Sequence, residues 1–351
     1  MFPPCVPFFV VLPAGGVTAA RSKLRSATDR RAIRRCRLRA FRKPKYIWAV
    51  ATVVVTHFAD RLAEAVDRKR SQLVVGLDPV VEHLPDELRR EAERGRADAA
   101  SVFARFCCGI VDAVAPHAVA VKPQSAFFEA LGADGVRAFE EVCDYARTAG
   151  LLVIADAKRG DIGSTARAYA SAFVEPRGDA PPLADAVTVN PYLGGDSLEP
   201  FLAACRRSGA GLFCLVKTSN PGGADVQDAT LADGRRLWEH VAGLVHEWGG
   251  DLVGDRGLSA VGAVVGATFP REVAQARSLL PQAVLLLPGI GAQGGAPADV
   301  GAAFAAGPAS ALVSASRSVI YAVRDQGGDY RVAARAEAER LAREVWAVSG
   351  A

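Results

Sequence analysis

Val153-Ile154-Ala155-Asp156-Ala157-Lys158-Arg159-Gly160-Asp161-Ile162-Gly163-Ser164-Thr165 joins two patterns. An unbroken apolar run ends in charge. A Gly-rich bend and a Ser-Thr pair then open a helical stretch. The apolar part reads as a strand buried on both faces, because it lacks polar alternation. Side chains two apart on a strand face the same way. Asp156 and Lys158 therefore point into one space, and Asp161 falls in the loop or the first helical turn beyond. A strand that ends in charge and feeds a helix is the unit from which α/β folds are built.

The same unit repeats on both sides. Short runs rich in Val and Leu occur at 72–77, 118–121, 151–155, 186–189, 211–216, 260–265, 283–287 and 311–313. Helical stretches such as 97–114, 136–149 and 198–208 lie between them. Alternating β and α predicts parallel strands with right-handed crossovers. Eight units over roughly 290 residues predict one closed (β/α)8 TIM barrel over 56–351. An open doubly wound sheet would carry a GxGxxG turn after its first strand, which is missing.

In such a barrel the chemistry sits at the C-terminal strand ends. Those ends carry Asp78, Lys122, Asp156 with Lys158, Asn190, the run Lys217-Thr218-Ser219-Asn220, the turn Pro288-Gly289-Ile290-Gly291, and Ser316-Arg317. One strand-end Asp is usually a helix cap, and one Asp–Lys pair can be a structural ion pair. Charges at several ends of one rim point instead to a site. Lys217 reads as a strand-end surface lysine and Arg159 as solvated or subunit-facing. Trp238, His240, His246 and Trp248 read as helix packing and surface. The polar, Gly-rich stretch 220–227 reads as a lid. Gly289, Gly291, Gly294 and Gly295 read as a loop whose backbone N–H groups approach phosphate.

These residues resemble the orotidine 5′-phosphate decarboxylase family, and ADAKRGDIGST is similar to its bacterial type 2 form. Val75-Gly76-Leu77-Asp78-Pro79, Ala120-Val121-Lys122-Pro123-Gln124, Thr188-Val189-Asn190-Pro191-Tyr192, Lys217-Thr218-Ser219-Asn220-Pro221 and 287–295 match in the same order. The resemblance covers about 56–345. It implies a catalytic array of Lys122, Asp156, Lys158 and Asp161, with Lys158 stabilising and protonating a C6 carbanion. It implies a homodimer with shared sites, in which Asp161 and Thr165 of the partner subunit complete each one. Asp78 would bind ribose hydroxyls, Ser219 the pyrimidine amide, and Gln293 and Arg317 the phosphate, with Asn190 also in the substrate site. No metal and no cofactor are implied. Two alternatives remain open. One is a Mg2+-dependent sugar-phosphate decarboxylase or aldolase of the same barrel superfamily, although extra Glu or His ligands are not evident. The other is a non-catalytic phosphate-binding barrel.

Composition bounds the rest. Half of the 351 residues are hydrophobic and 23% are charged, enough for a large core. The net charge of +4 is split: residues 1–55 carry +11 and the remainder −7. An acidic body gives no nucleic-acid surface. Seven cysteines, odd in number and without a CxxC pair, read as small buried residues in a reducing, cytoplasmic setting. The apolar runs before residue 56 are too short to span a bilayer, and no positive charge precedes the first, as a secretory signal would require. Residues 1–55 are expected to be a basic extension outside the fold, disordered or translated from a start upstream of the true one. N-terminal sequencing of native protein beginning at Met1 would overturn the second option. Thr56 is the expected cap of the first helix.

Overall fold

The computed structural model describes residues 56–291 and 294–351. The expectations for residues 1–55 and for Gln293 lie outside these. The described chain folds into a closed barrel of eight parallel strands. Counting barrel strands only, they are β1 (Leu73–Leu77), β2 (Ala120–Pro123), β3 (Leu152–Arg159), β4 (Ala186–Val189), β5 (Gly211–Lys217), β6 (Ser259–Val265), β7 (Ala283–Pro288) and β8 (Ala311–Ala315). Each pairs with the next in sequence, and Leu73↔Val313 closes β1 onto β8. All eight predicted runs coincide with these strands. The predicted helices appear as Arg96–Val114, Ala133–Thr148 and Gly195–Ser208. A two-stranded hairpin, Pro176–Arg177 with Ala180–Pro182, is the one sheet outside the barrel among the described residues.

The barrel is filled rather than hollow. Leu215, Val264 and Leu286 form the floor of a cavity at the C-terminal end. Two residues below Leu215, the Phe213 ring occupies the space that Gly262 leaves; a Cβ there would sit 2.6 Å from the ring and 2.5 Å from the Val284 carbonyl. Beneath it, Phe58 meets Phe213 edge-on at 5.9 Å and fills the space left by Gly211. Phe58 opens the helix Phe58–Lys69, which closes the N-terminal end of the barrel. Burying such a ring removes a large apolar area from water, the main favourable term of folding. The cap of this helix is His57, whose Nε2 lies 2.8 Å from the Leu252 carbonyl, and not the exposed Thr56. Trp238 is buried on the helix Leu237–Trp248 while His246 is exposed, as amphipathic packing predicts. The five described cysteines are free, and four of them are buried.

Candidate active site

The strand ends enclose a cavity of about 610 Å³, within the usual size of a small-molecule site. At its centre is Asp156, whose side chain is 6% exposed. Its Oδ2 accepts from Lys122 Nζ at 2.5 Å. Its Oδ1 accepts from Lys158 Nζ at 2.5 Å and from Thr188 Oγ1 at 2.9 Å. Lys122 is nearly enclosed, at 10% exposure, whereas Lys158 keeps 44% and faces the open cavity. Lys158 is also one of two described non-glycine residues with positive φ, at +47°. Such backbone is uncommon and concentrates at functional sites.

Charge pairing dominates the titration of this group. Burial opposes the Asp156 carboxylate, but Lys122 and Lys158 outweigh it and hold the acid well below the usual range. Burial likewise opposes the Lys122 ammonium. Asp156 and Asp78 outweigh it through charge, with the hydrogen bond to Asp156 adding, and its pKa is raised. The buried Lys122–Asp156 pair thus favours its ionised form on both sides.

Asp78 lines the cavity from the end of β1. Its Oδ2 accepts from Ser316 Oγ, while its Oδ1 is buried with no hydrogen-bond partner among the described residues. Ser316 reaches it because residue 76 is glycine: a Cβ there would lie 2.8 Å from Ser316 Cβ. Tyr321, which also lines the cavity, holds the same strand end. It donates to the Asp78 carbonyl at 3.0 Å and accepts from the Val80 N–H at 2.7 Å. Its ring stacks on Phe106 at 5.9 Å.

Ser219, Asn220 and Arg317 also line the cavity. Ser219 packs close to Gly266, where a Cβ would come within 3.0 Å of its backbone. Arg317 is exposed at the start of the short helix Arg317–Ile320 and has no ion-pair partner among the described residues. Asn190 is not brought to the cavity. It lies exposed at the end of β4, and its Oδ1 caps the turn Pro191–Leu193 through the Tyr192 N–H at 3.0 Å. Asp161 and Thr165 do not line their own chain's cavity. Asp161 Oδ1 accepts from the adjacent Ile162 N–H, and Thr165 is exposed in the first turn of Gly163–Val174.

Two expectations about the rim change, those for Lys217 and for the glycine loop. Lys217 is not a surface residue: its side chain is 6% exposed, donates to Asp228 Oδ1 at 2.6 Å and lies over the Phe269 ring. Arg159 keeps a part-exposed position, pairing with Glu129 and lying over the Tyr169 ring at 5.5 Å. Three amides of the glycine loop after β7 are spent within the loop. The N–H groups of Gly291, Gly294 and Gly295 donate to the carbonyls of Gly295, Gly291 and Gly289. Positive φ at Gly289, Gly291 and Gly294 makes that turn possible. The stretch after β5 folds as two short turns, Pro221–Gly223 and Ala224–Gln227. Gln227 fastens them, its Oε1 on the Thr218 N–H at 2.9 Å and its Nε2 on Thr218 Oγ1 at 2.7 Å. Thr188, Ser316, Gln227 and Lys217 lie in quoted stretches that assign them no partner, and Tyr321 and Asp228 lie outside them. Each contact becomes visible only when the strand ends meet.

Comparison with known proteins converges on one family. The model of the Orotidine 5′-phosphate decarboxylase / HUMPS family matches residues 71–331. An orotidine 5′-phosphate decarboxylase of Rhodopirellula baltica is 49% identical over 270 residues, covering 76% of this chain and 88% of that protein. One of Deinococcus radiodurans is 44% identical over 286 residues, covering 81% and 96%. The solved OMP decarboxylase of Leishmania donovani superposes with a TM-score of 0.65 at 34% identity, covering 84% of this chain and all of that one. A barrel whose mouth holds the Lys122–Asp156–Lys158 array, matched by these relatives along nearly its whole described length, belongs to the orotidine 5′-phosphate decarboxylase family.

Proposed function

We propose that this protein is an orotidine 5′-phosphate decarboxylase. It converts orotidine 5′-monophosphate to uridine 5′-monophosphate and CO2, a carboxy-lyase step of pyrimidine biosynthesis. The observation that carries this reading is the exposed Lys158 ammonium, fixed by a buried carboxylate at the mouth of a barrel of this family. Breaking the bond from C6 to the carboxylate leaves an electron pair on C6. Preorganised positive charge stabilises such a carbanion far better in an enclosed site than in water. The Lys158 ammonium supplies that charge and then donates its proton to C6. Asp156, itself held by Lys122, keeps it aimed.

The remaining assignments follow from what each group can offer. Asp78 Oδ1 is a buried acceptor suited to a ribose hydroxyl. Ser219 lines the cavity and is assigned to the pyrimidine amide by resemblance. Arg317 supplies a fork of donors for phosphate, and Gln293 is assigned to the same group by resemblance. The loop 220–227 serves as a lid that uses phosphate binding to close the site. Asp161 and Thr165 act across a homodimer interface. Exposed apolar side chains beside them, Ile162 at 57% and Tyr192 at 79%, support that placement. The ADAKRGDIGST form supports the type 2 subgroup. Among the described residues no helix is long and apolar enough to cross a membrane, and a pyrimidine-pathway enzyme is expected in the cytoplasm. The reaction is assigned to the side chains alone, without a metal or cofactor.

Loss of orotidine 5′-monophosphate absorbance tests this directly. The full-length protein is expected to turn over with and without EDTA, and Lys158→Ala to lose at least ~10³-fold in kcat. Turnover that EDTA abolishes would move the protein to the metal-dependent sugar-phosphate enzymes. Binding of the nucleotide without turnover would make it a phosphate-binding barrel.

A further inference from the structure

Strands β3 and β4 pair regularly at Ile154↔Ala186 and Ala155↔Val187, and pairing resumes only at Arg159↔Val189. Asp156, Ala157 and Lys158 thus stand opposite a single residue, Thr188. A bulge of this kind leaves backbone groups without ladder partners. Here the side chain of Thr188 replaces the ladder. Its Oγ1 accepts the Lys158 N–H at 3.0 Å and donates to Asp156 Oδ1 at 2.9 Å. A hydroxyl has one proton. Of its two partners only the carboxylate can accept, so that proton is directed at Asp156. Thr188 is 1% exposed, so water does not compete.

The bulge has a consequence for the chemistry. It brings Lys158 into the left-handed region, at φ +47°, where a lysine stays only if its surroundings hold it. The one hydrogen bond from the Lys158 backbone N–H runs to the same hydroxyl that fixes the carboxylate holding its Nζ. We propose that Thr188 is a positioning residue for decarboxylation, locking the Lys158 backbone and the Asp156 carboxylate into one relation so that Nζ stays aimed at the reacting carbon. The proposal rests on the decarboxylase reading above. Valine would fill the same volume without the hydroxyl, and serine would keep the hydroxyl without the methyl.

The test compares full-length wild type, Thr188→Val and Thr188→Ser. Steady-state turnover, uridine 5′-monophosphate binding and amide hydrogen exchange across residues 152–160 are measured for each. Thr188→Val is expected to lower kcat on the order of 100-fold, the scale of a small misplacement of a reacting group, with KM and product affinity within about threefold. Exchange at the Lys158 amide should rise in Thr188→Val and stay near wild type in Thr188→Ser, which should also recover most of kcat. The proposal is overturned by a Thr188→Val enzyme with unchanged kcat. It is overturned equally if kcat, product affinity and Tm fall together in both variants, or if exchange at Lys158 does not change. A wild type that does not turn over the nucleotide would remove the decarboxylase reading, and the exchange comparison would still decide whether Thr188 holds Lys158.

Discussion

Asp156 carries the electrostatics of the site, and its linkage to stability has a definite sign. Its folded pKa lies below the ordinary carboxylate value. Its pairing therefore contributes stability above about pH 4, and that contribution is lost as pH falls through the folded value. Lys122 runs the other way. Its folded pKa is raised, so its contribution is present below about pH 10 and is lost as pH rises further. Between these limits the Lys122–Asp156 pair is fully formed. Asp156→Asn should flatten the decline of Tm below pH 4 relative to wild type, measured by thermal melts from pH 3 to 7. It should also lower Tm at pH 7, because breaking a buried ion pair by removing one partner costs about 3–5 kcal/mol. An unchanged acid limb in Asp156→Asn would mean that other carboxylates govern acid unfolding.

At the scale of elements, glycines and rings set the barrel filling that supports the rim. Gly262→Ala places a Cβ against both the Phe213 ring and the Val284 carbonyl. The backbone carbonyl cannot swing aside as a side chain can, so the cost should be about 1–3 kcal/mol. Phe58→Ala should cost about 3–5 kcal/mol by opening the N-terminal end of the barrel. Urea melts would read both as a fall in midpoint at constant slope, and a neutral Gly262→Ala would show that the ring repacks freely. These features also mark what the sequence discloses. The eight strands were legible because a strand buried on both faces is continuously apolar, as at 283–287. Asp156 with Lys158 was legible because spacing by two on a strand fixes a common direction. The burial of Lys217 was not legible, since its partner Asp228 lies eleven residues on, across a loop whose fold the spacing does not encode. Thr188 was hidden for a different reason: within Ala-Val-Thr-Val it reads as β-branched filler, and only the bulge opposite gives its hydroxyl a task.

For the whole molecule, the question is whether one chain holds a complete site. Asp161 sits in the motif beside Lys158 yet lies outside its own cavity, and Thr165 is exposed one turn further on. Motif membership without a place in the cavity is what a site shared across a two-fold interface produces, since each chain donates the residue it does not use. Complementation separates this from a peripheral role. If the protein is the proposed dimer, the Lys158→Ala and Asp161→Ala proteins should each be nearly inactive. Mixed, unfolded and refolded together at equal amounts, they should recover about a quarter of wild-type activity, because half the dimers are hybrid and each hybrid has one intact site. Recovery requires Asp161 of the partner subunit to act beside Lys158. If each mutant is inactive and the refolded mixture recovers nothing, Asp161 serves the site of its own chain through a movement of the β3 loop. An Asp161→Ala protein that keeps full activity would remove Asp161 from the catalytic array altogether.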